Sequence, residues 1–179
     1  MRKVVLYSLL SLDGVAESPD EYVHEFDDQM LENLTAVIAT QDAVVLGRVS
    51  YEEWAAYWPT SDDEPFASFI NDVDKYVVTS TPLTTPWRGS TAVHGTPASL
   101  IADLRERPGG DIGVHASVTL SRSLLDDGLV DELRLVVAPT VAGTGRRLLG
   151  DNDTHTRLQL VDAVGTPSGA LLLTYGVAP

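Results

Sequence analysis

Short apolar runs, each closed by Gly, Pro or Ser, alternate along this chain with segments whose apolar residues recur three and four apart. The first kind suits buried strands and the second suits helices with one apolar face. Residues 3–10 read as a strand and 11–25 as a long loop. Phe26, Met30, Leu34, Val37 and Ile38 repeat at helical spacing, which predicts a helix over 27–40. A strand over 43–46 and a helix over 48–57 follow. "PFASFIND" suits one or two helical turns after Pro65. "KYVVTST" is a strand stopped by Pro82 and Pro86, and "STAVHG" is another. "TPASLIADLRER" is a helix with Thr96 as N-cap and Pro97 in its first position. "DIGVHA" (strand), "SVTLSRSLLDDG" (helix) and "DELRLVVAP" (strand) complete the alternation. The runs 157–163 and 170–177 flank "GTPSG" as a hairpin. This order predicts a single α/β domain over 1–179, with a largely parallel sheet and an antiparallel C-terminal edge.

The apolar runs are too short for a membrane span, which needs roughly 18 residues. The N-terminal run breaks at Asp13 with no small-residue cleavage site behind it, so it reads as a first buried strand and the cytoplasm is the expected compartment. The chain has no cysteine, which excludes disulfides, thiol nucleophiles and cysteine-based metal sites. Its formal net charge of −14 disfavours nucleic acid and anionic membranes as partners, because both need a concentrated basic face. Any phosphate-rich ligand must therefore be met by a few focused cations. Arg48, Arg122, Arg146 and Arg147 fall at loops or helix starts.

Several familiar motifs fail on inspection. "GTGRRL" at 143–148 has Leu148 where a dinucleotide fingerprint needs its third glycine. His24, His94, His115 and His155 lack the spacing of a metal site. "DNDTH" at 151–155 lacks the glycine of a calcium loop and reads as a solvated loop. No nucleophile elbow points to hydrolysis.

Two strand-to-helix junctions are more informative. In "AVVLGRVSYEEW" the buried run ends at Gly47, and Arg48 opens the helix. A helix start presents unpaired N–H groups and partial positive charge, so an Arg beside it can make an anion site. In "DIGVHASVTLSRSLL" Ala116 and Ser117 join strand to helix, and Ser117 can cap it while leaving N–H groups free. In a parallel sheet, ligands bind at the carboxyl ends of the strands. The two junctions can converge on one nucleotide, or they can simply be two capped helices.

"SLDG", "VVLGRVSYEEW", "KYVVTST" and above all "LLDDGLVDELRLVVAPTVAGTGRRLL" resemble the dihydrofolate-reductase-like family. The branch is the C-terminal reductase domain of bifunctional riboflavin-biosynthesis proteins and its stand-alone relatives. The resemblance spans nearly the whole chain. It implies a central sheet of about eight mostly parallel strands, flanked by helices and closed by an antiparallel hairpin. It also implies NADPH as hydride donor and a heterocyclic or carbonyl acceptor. By this resemblance Gly47, Arg48 and Ser50 hold cofactor phosphates. Thr79 and Ser80 take the adenosine ribose phosphate, and His115, Ala116, Ser117, Val118 and Thr119 take the pyrophosphate. Relatives usually carry Gly-Gly or Gly-Ser where this chain has Ala116 and Ser117, so a Cβ enters the turn. Asp27 and Asp28 lie where a carboxylate reads the heterocycle, or else cap and charge a helix start. Asp13 lies in the loop expected over the nicotinamide, or else forms a turn before Gly14. The expected assembly is a homodimer. The alternative to an NADPH-dependent reductase is a non-catalytic protein of the same fold that binds a nucleotide or a protein partner.

Overall fold

The computed structural model describes residues 1–149 and 156–177. The stretch 151–155, with His155, lies outside them. The strands are β1 (Val4–Leu10), β2 (Gln41–Gly47), β3 (Asp74–Val78), β4 (Ser90–Val93), β5 (Asp111–Val114), β6 (Glu132–Val137), β7 (Leu158–Gly165) and β8 (Leu171–Val177). The helices are α1 (Asp28–Ile38), α2 (Arg48–Tyr57), α3 (Phe66–Asp72), α4 (Pro97–Glu106) and α5 (Val118–Asp126). The strands form one sheet of eight in the order β4-β3-β2-β5-β1-β6-β8-β7. From β4 to β6 all pairs are parallel, and β8 runs antiparallel to both β6 and β7. The expected α/β architecture is thus present.

Each strand forms where its apolar run can be covered. Val44, Val45 and Leu46 are fully buried because helices lie over both faces of β2. One core layer joins Leu6, Ile112, Val114 and Leu133 of the sheet to Leu100, Ile101 and Leu104 of α4 and Leu120 and Leu124 of α5. On the other face Val5, Tyr7 and Val136 meet Met30, Leu34, Val37 and Ile38 of α1. Those four α1 residues make up the helical stripe read from the sequence. A third cluster packs Tyr51 and Ala55 of α2 and Ile70 of α3 against Val44, Leu46 and Val77.

Helix ends follow local chemistry. Thr96 caps α4 in a reciprocal box with Ser99. Ser117 caps α5 and Asp27 caps α1. The end of α3 is satisfied differently. Lys75 is fully buried on β3, and its Nζ donates to the carbonyls of Ile70 (2.8 Å) and Val73 (2.7 Å), 4.7 Å from the Trp87 ring. Burial lowers its pKa to about 8, against the opposing pull of Asp74 and Asp72.

The loop expected over 11–25 is more ordered than its composition suggests. It carries a 3-10 turn at Pro19–Glu21 and an antiparallel bridge from Val15 to Arg147. The strand expected through "KYVVTST" ends at Val78, so Thr79 and Ser80 lie beyond the sheet.

Candidate functional site

The carboxyl ends of the parallel strands collect every junction singled out from the sequence. β2 lies between β3 and β5, and β5 separates β2 from β1. The chain goes outward from β2 through β3 to β4 and returns to β5, so its winding reverses beside β2. A crevice at such a reversal is where α/β sheets hold ligands.

The two strand-to-helix turns meet there. A Cβ built on Gly47 would lie 3.5 Å from Ser117 Oγ. No side chain caps the start of α2, so its first N–H groups stay open. Arg48 is exposed and makes no ion pair among the described residues. Ser50 is buried behind it. At α5, Ser117 Oγ accepts from Leu120 N at 3.4 Å, which leaves Val118 and Thr119 N–H uncapped. The peptide between Ala116 and Ser117 is cis. These open donors, an unpaired guanidinium and a close approach at Gly47 fit a pyrophosphate.

The other expected cofactor residues are placed less simply. Thr79 Oγ1 donates to Thr81 O at 2.8 Å and accepts from Thr81 N, so this hydroxyl closes a turn. Ser80 is exposed beside it, and His94 Nδ1 sits 3.0 Å from Thr79 O. The His115 ring is engaged by residues of β1, β2 and α3. Its Nε2 is 2.7 Å from Gln41 Oε1, and its ring packs against Tyr7, Phe66 and Phe69. Burial pushes its pKa down to about 3, so the imidazole is neutral and supplies no charge to a phosphate. Only its backbone remains at the turn.

Asp13 spends both oxygens on the fold. Oδ1 accepts from Ser11 Oγ (2.7 Å) and Ala142 N (2.9 Å), and Oδ2 from Gly143 N (3.0 Å). The Ser11 and Ala142 hydrogen bonds, the two largest causes, hold its pKa at about 2. Asp27 is similarly committed. Oδ1 accepts from Met30 N, while Oδ2 accepts from Ser168 N and Ser168 Oγ. Desolvation pushes its pKa up, but hydrogen bonds from Ser168 and Met30 outweigh that and hold it well below the carboxylate range. Both aspartates therefore take the turn-forming and capping roles that stood beside their catalytic reading. Asp28, the first residue of α1, adds negative charge to that helix start.

Arg146 and Arg147 lie in the segment after β6 and are tied to the 11–17 loop. Arg146 pairs with Glu17 (2.9 Å) and donates to Thr119 Oγ1 (3.1 Å). Arg147 Nε donates to Asp13 O. An open cavity of about 380 Å³ beside α5 is lined by Thr119, Arg122, Asp126 and Arg146, among others. Among the described residues no group of His, Asp or Glu side chains could hold a metal ion, and no helix is long and apolar enough to cross a membrane.

The sheet order defines a dihydrofolate-reductase-like domain. Residues 2–172 match the model of the RibD C-terminal domain, and the chain belongs to that family. It is 26% identical over 180 residues to the uncharacterized protein YyaP of Bacillus subtilis (strain 168), covering 97% of this chain and 94% of the relative. It is 27% identical over 162 residues to the uncharacterized protein YwjB of the same organism, covering 89% of each. Among solved structures, a pyrimidine reductase-like protein of Corynebacterium diphtheriae superposes with a TM-score of 0.69 at 17% identity, covering 99% of this chain and 92% of that one. A Thermotoga maritima deaminase/5-amino-6-(5-phosphoribosylamino)uracil reductase gives 0.70 at 13% identity, over 99% of this chain but 57% of that one. At these identities the structures share the fold.

Gln41, Gly113 and Tyr7 surround His115 and were not singled out from the sequence. A Cβ on Gly113 would overlap Gln41 Oε1 and come within 2.9 Å of His115 Nε2. The only local signal is that Gln41, ahead of the exposed Asp42, is a buried polar residue opening β2.

Proposed function

We propose that this chain is an NADPH-dependent reductase of a small heterocyclic (pteridine- or aminopyrimidine-like) or carbonyl substrate, working in the cytoplasm. The observation that carries the reading is the meeting of the β2–α2 and β5–α5 turns, with open helix N–H groups at both and, at the start of α2, Arg48, which makes no ion pair among the described residues. Family membership supports the same reading. NADPH supplies the hydride when bound. Gly47, Arg48 and Ser50 bind its phosphates from one side, and the backbone of residues 115–119 does so from the other. Thr79 and Ser80 lie at the end of β3 for the ribose phosphate. Asp13 contributes by holding the 11–17 loop over the crevice.

The test is thermal: NADPH should raise the melting temperature more than NADH does, because a ligand bound only by the folded state stabilises it by mass action. Equal shifts, or none, count against the reading. A non-catalytic nucleotide binder gains support from one residue, Ala116, whose Cβ sits in the turn. That reading predicts NADPH binding without oxidation against pterins, aminopyrimidines and small carbonyls. Ala116→Gly should then tighten NADPH.

A homodimer is the proposed assembly. β7 is an edge strand with Leu160 and Val161 more than half exposed, so its apolar side chains and unpaired backbone groups are open to a second copy. Light scattering at micromolar concentration decides this, and a monomer refutes it.

A further inference from the structure

Arg146 holds together three separate parts of the chain. Its Nε donates to Glu17 Oε1 at 2.9 Å and its backbone N–H to Glu17 Oε2 at 3.1 Å, so it grips the far end of the 11–17 loop twice. Its carbonyl accepts from Ala16 N at 2.9 Å. Its Nη1 donates to Thr119 Oγ1 at 3.1 Å, in the first turn of α5. Gly145 permits the close approach: its φ is +116°, and a Cβ there would come within 2.6 Å of Val15 Cγ1. Arg146 also lines the open cavity beside α5, whereas Glu17 does not.

The far end of the loop is strained. Ser18, next to Glu17, has φ +49° and is the only non-glycine with a positive φ among the described residues. The Arg146 and Glu17 side chains are 53% and 39% exposed, and ion pairs of that kind contribute little to stability. The consequence of this one is therefore positional. It decides where the loop end lies, and it can open while the sheet stays folded.

We propose that Arg146 is a positioning residue that couples a phosphate at the α5 turn to closure of the 11–17 loop. A phosphate on the Val118 and Thr119 N–H groups favours the guanidinium that Thr119 Oγ1 holds beside them. Arg146, so held, keeps Glu17 and the strained end of the loop in place. The coupling is reciprocal: the factor by which a closed loop tightens the phosphate ligand equals the factor by which that ligand favours closure. The proposal rests on the reading of the α5 turn as a phosphate site, and its test separates the two.

Amide hydrogen exchange at Ala16 and Arg146 reads the strap directly. Saturating NADPH should slow both by about fivefold or more. Inorganic pyrophosphate, which carries phosphates without a nicotinamide, should slow them too. Arg146→Gln should quicken exchange at Ala16 in the free protein. It should also weaken NADPH by the factor with which NADPH slows exchange in wild type. Thr119→Val keeps the backbone N–H groups and removes the hydroxyl, so NADPH should still bind while exchange at Ala16 stops responding to it. Arg48→Ala leaves the strap intact, so saturating NADPH should still slow exchange there. A purely structural Arg146 gives quicker exchange in Arg146→Gln but no response to either ligand in wild type, and that result overturns the proposal. So does a Thr119→Val chain that responds like wild type. A response to pyrophosphate without NADPH binding removes the reductase reading and leaves the coupling. NADPH binding with no response at Ala16 removes the coupling and leaves the reductase reading.

Discussion

Two regions at the same edge of the sheet treat their polar groups in opposite ways. The loops 11–17 and 138–148 are clasped together: Asp13 takes the N–H groups of Ala142 and Gly143, Glu17 takes Arg146, and Val15 bridges to Arg147. At the same edge, the turns at Gly47 and Ser117 leave helix N–H groups open, and Arg48 makes no ion pair among the described residues. Charge alone does not mark function here. Asp13 is engaged by the neighbouring loop, while the exposed Arg48 makes no ion pair among the described residues. Satisfied polar groups hold a structure in place, and unsatisfied ones wait for a partner.

The comparison breaks most visibly at Gly113. Gly113→Ala should destabilise the domain by about 1–3 kcal/mol, as overpacking does, because the new Cβ meets the Gln41–His115 pair. Chemical denaturation measures it, and an unchanged midpoint means the pair has room to move. The next effect is at the open turn. Arg48→Ala should weaken NADPH by about 1–3 kcal/mol and leave the melting temperature of the free protein alone, since Arg48 supports nothing in the fold. A large loss of stability would place Arg48 with the clasp instead.

Acid should separate the groups by window. Unfolded chains take up a proton at His115 near pH 6.5, whereas the folded state resists until about 3. The unfolded state therefore binds more protons between these values, and stability falls as pH drops through them, by at most about 1.4 kcal/mol per pH unit. Asp13 and Glu52, both held at about 2 chiefly by side-chain hydrogen bonds from Ser11 and Thr85, add their loss only as pH falls from about 4 toward 2. His115→Phe should flatten the upper window and leave the lower one, as read from melting temperature against pH. The smallest effect belongs to the clasp. Asp13→Asn offers one acceptor where two N–H groups were held, so amide exchange at Ala142 and Gly143 should quicken while the core strands stay protected. NADPH binding should persist, and turnover should fall with the loosened loop.

Much of this was legible along the chain. Val44, Val45 and Leu46 announce a strand covered on both faces, and the spacing of Met30, Leu34, Val37 and Ile38 announces a helix face. The caps at Thr96 and Ser117 follow from local chemistry alone. The convergence of the Gly47 and Ser117 turns could be raised as a possibility but not decided, because strand order is set by packing between distant segments. The backbone partners of Asp13 lie about 130 positions away, and the His115 partner of Gln41 lies 74 away. No periodicity encodes such pairings. An aspartate before a glycine therefore looks the same whether it awaits a substrate or grips a neighbouring loop.

The buried ammonium at the end of α3 has a practical consequence for labelling. The chain has two lysines. The side chain of Lys3 is 59% exposed, while Lys75 spends its donors on helix carbonyls and touches no solvent. Amine-reactive dyes, crosslinkers and resins should modify only one lysine side chain in the native protein. Reaction at Lys75 then becomes a direct gauge of how often α3, with its Phe66 and Phe69 rings, comes loose from the sheet.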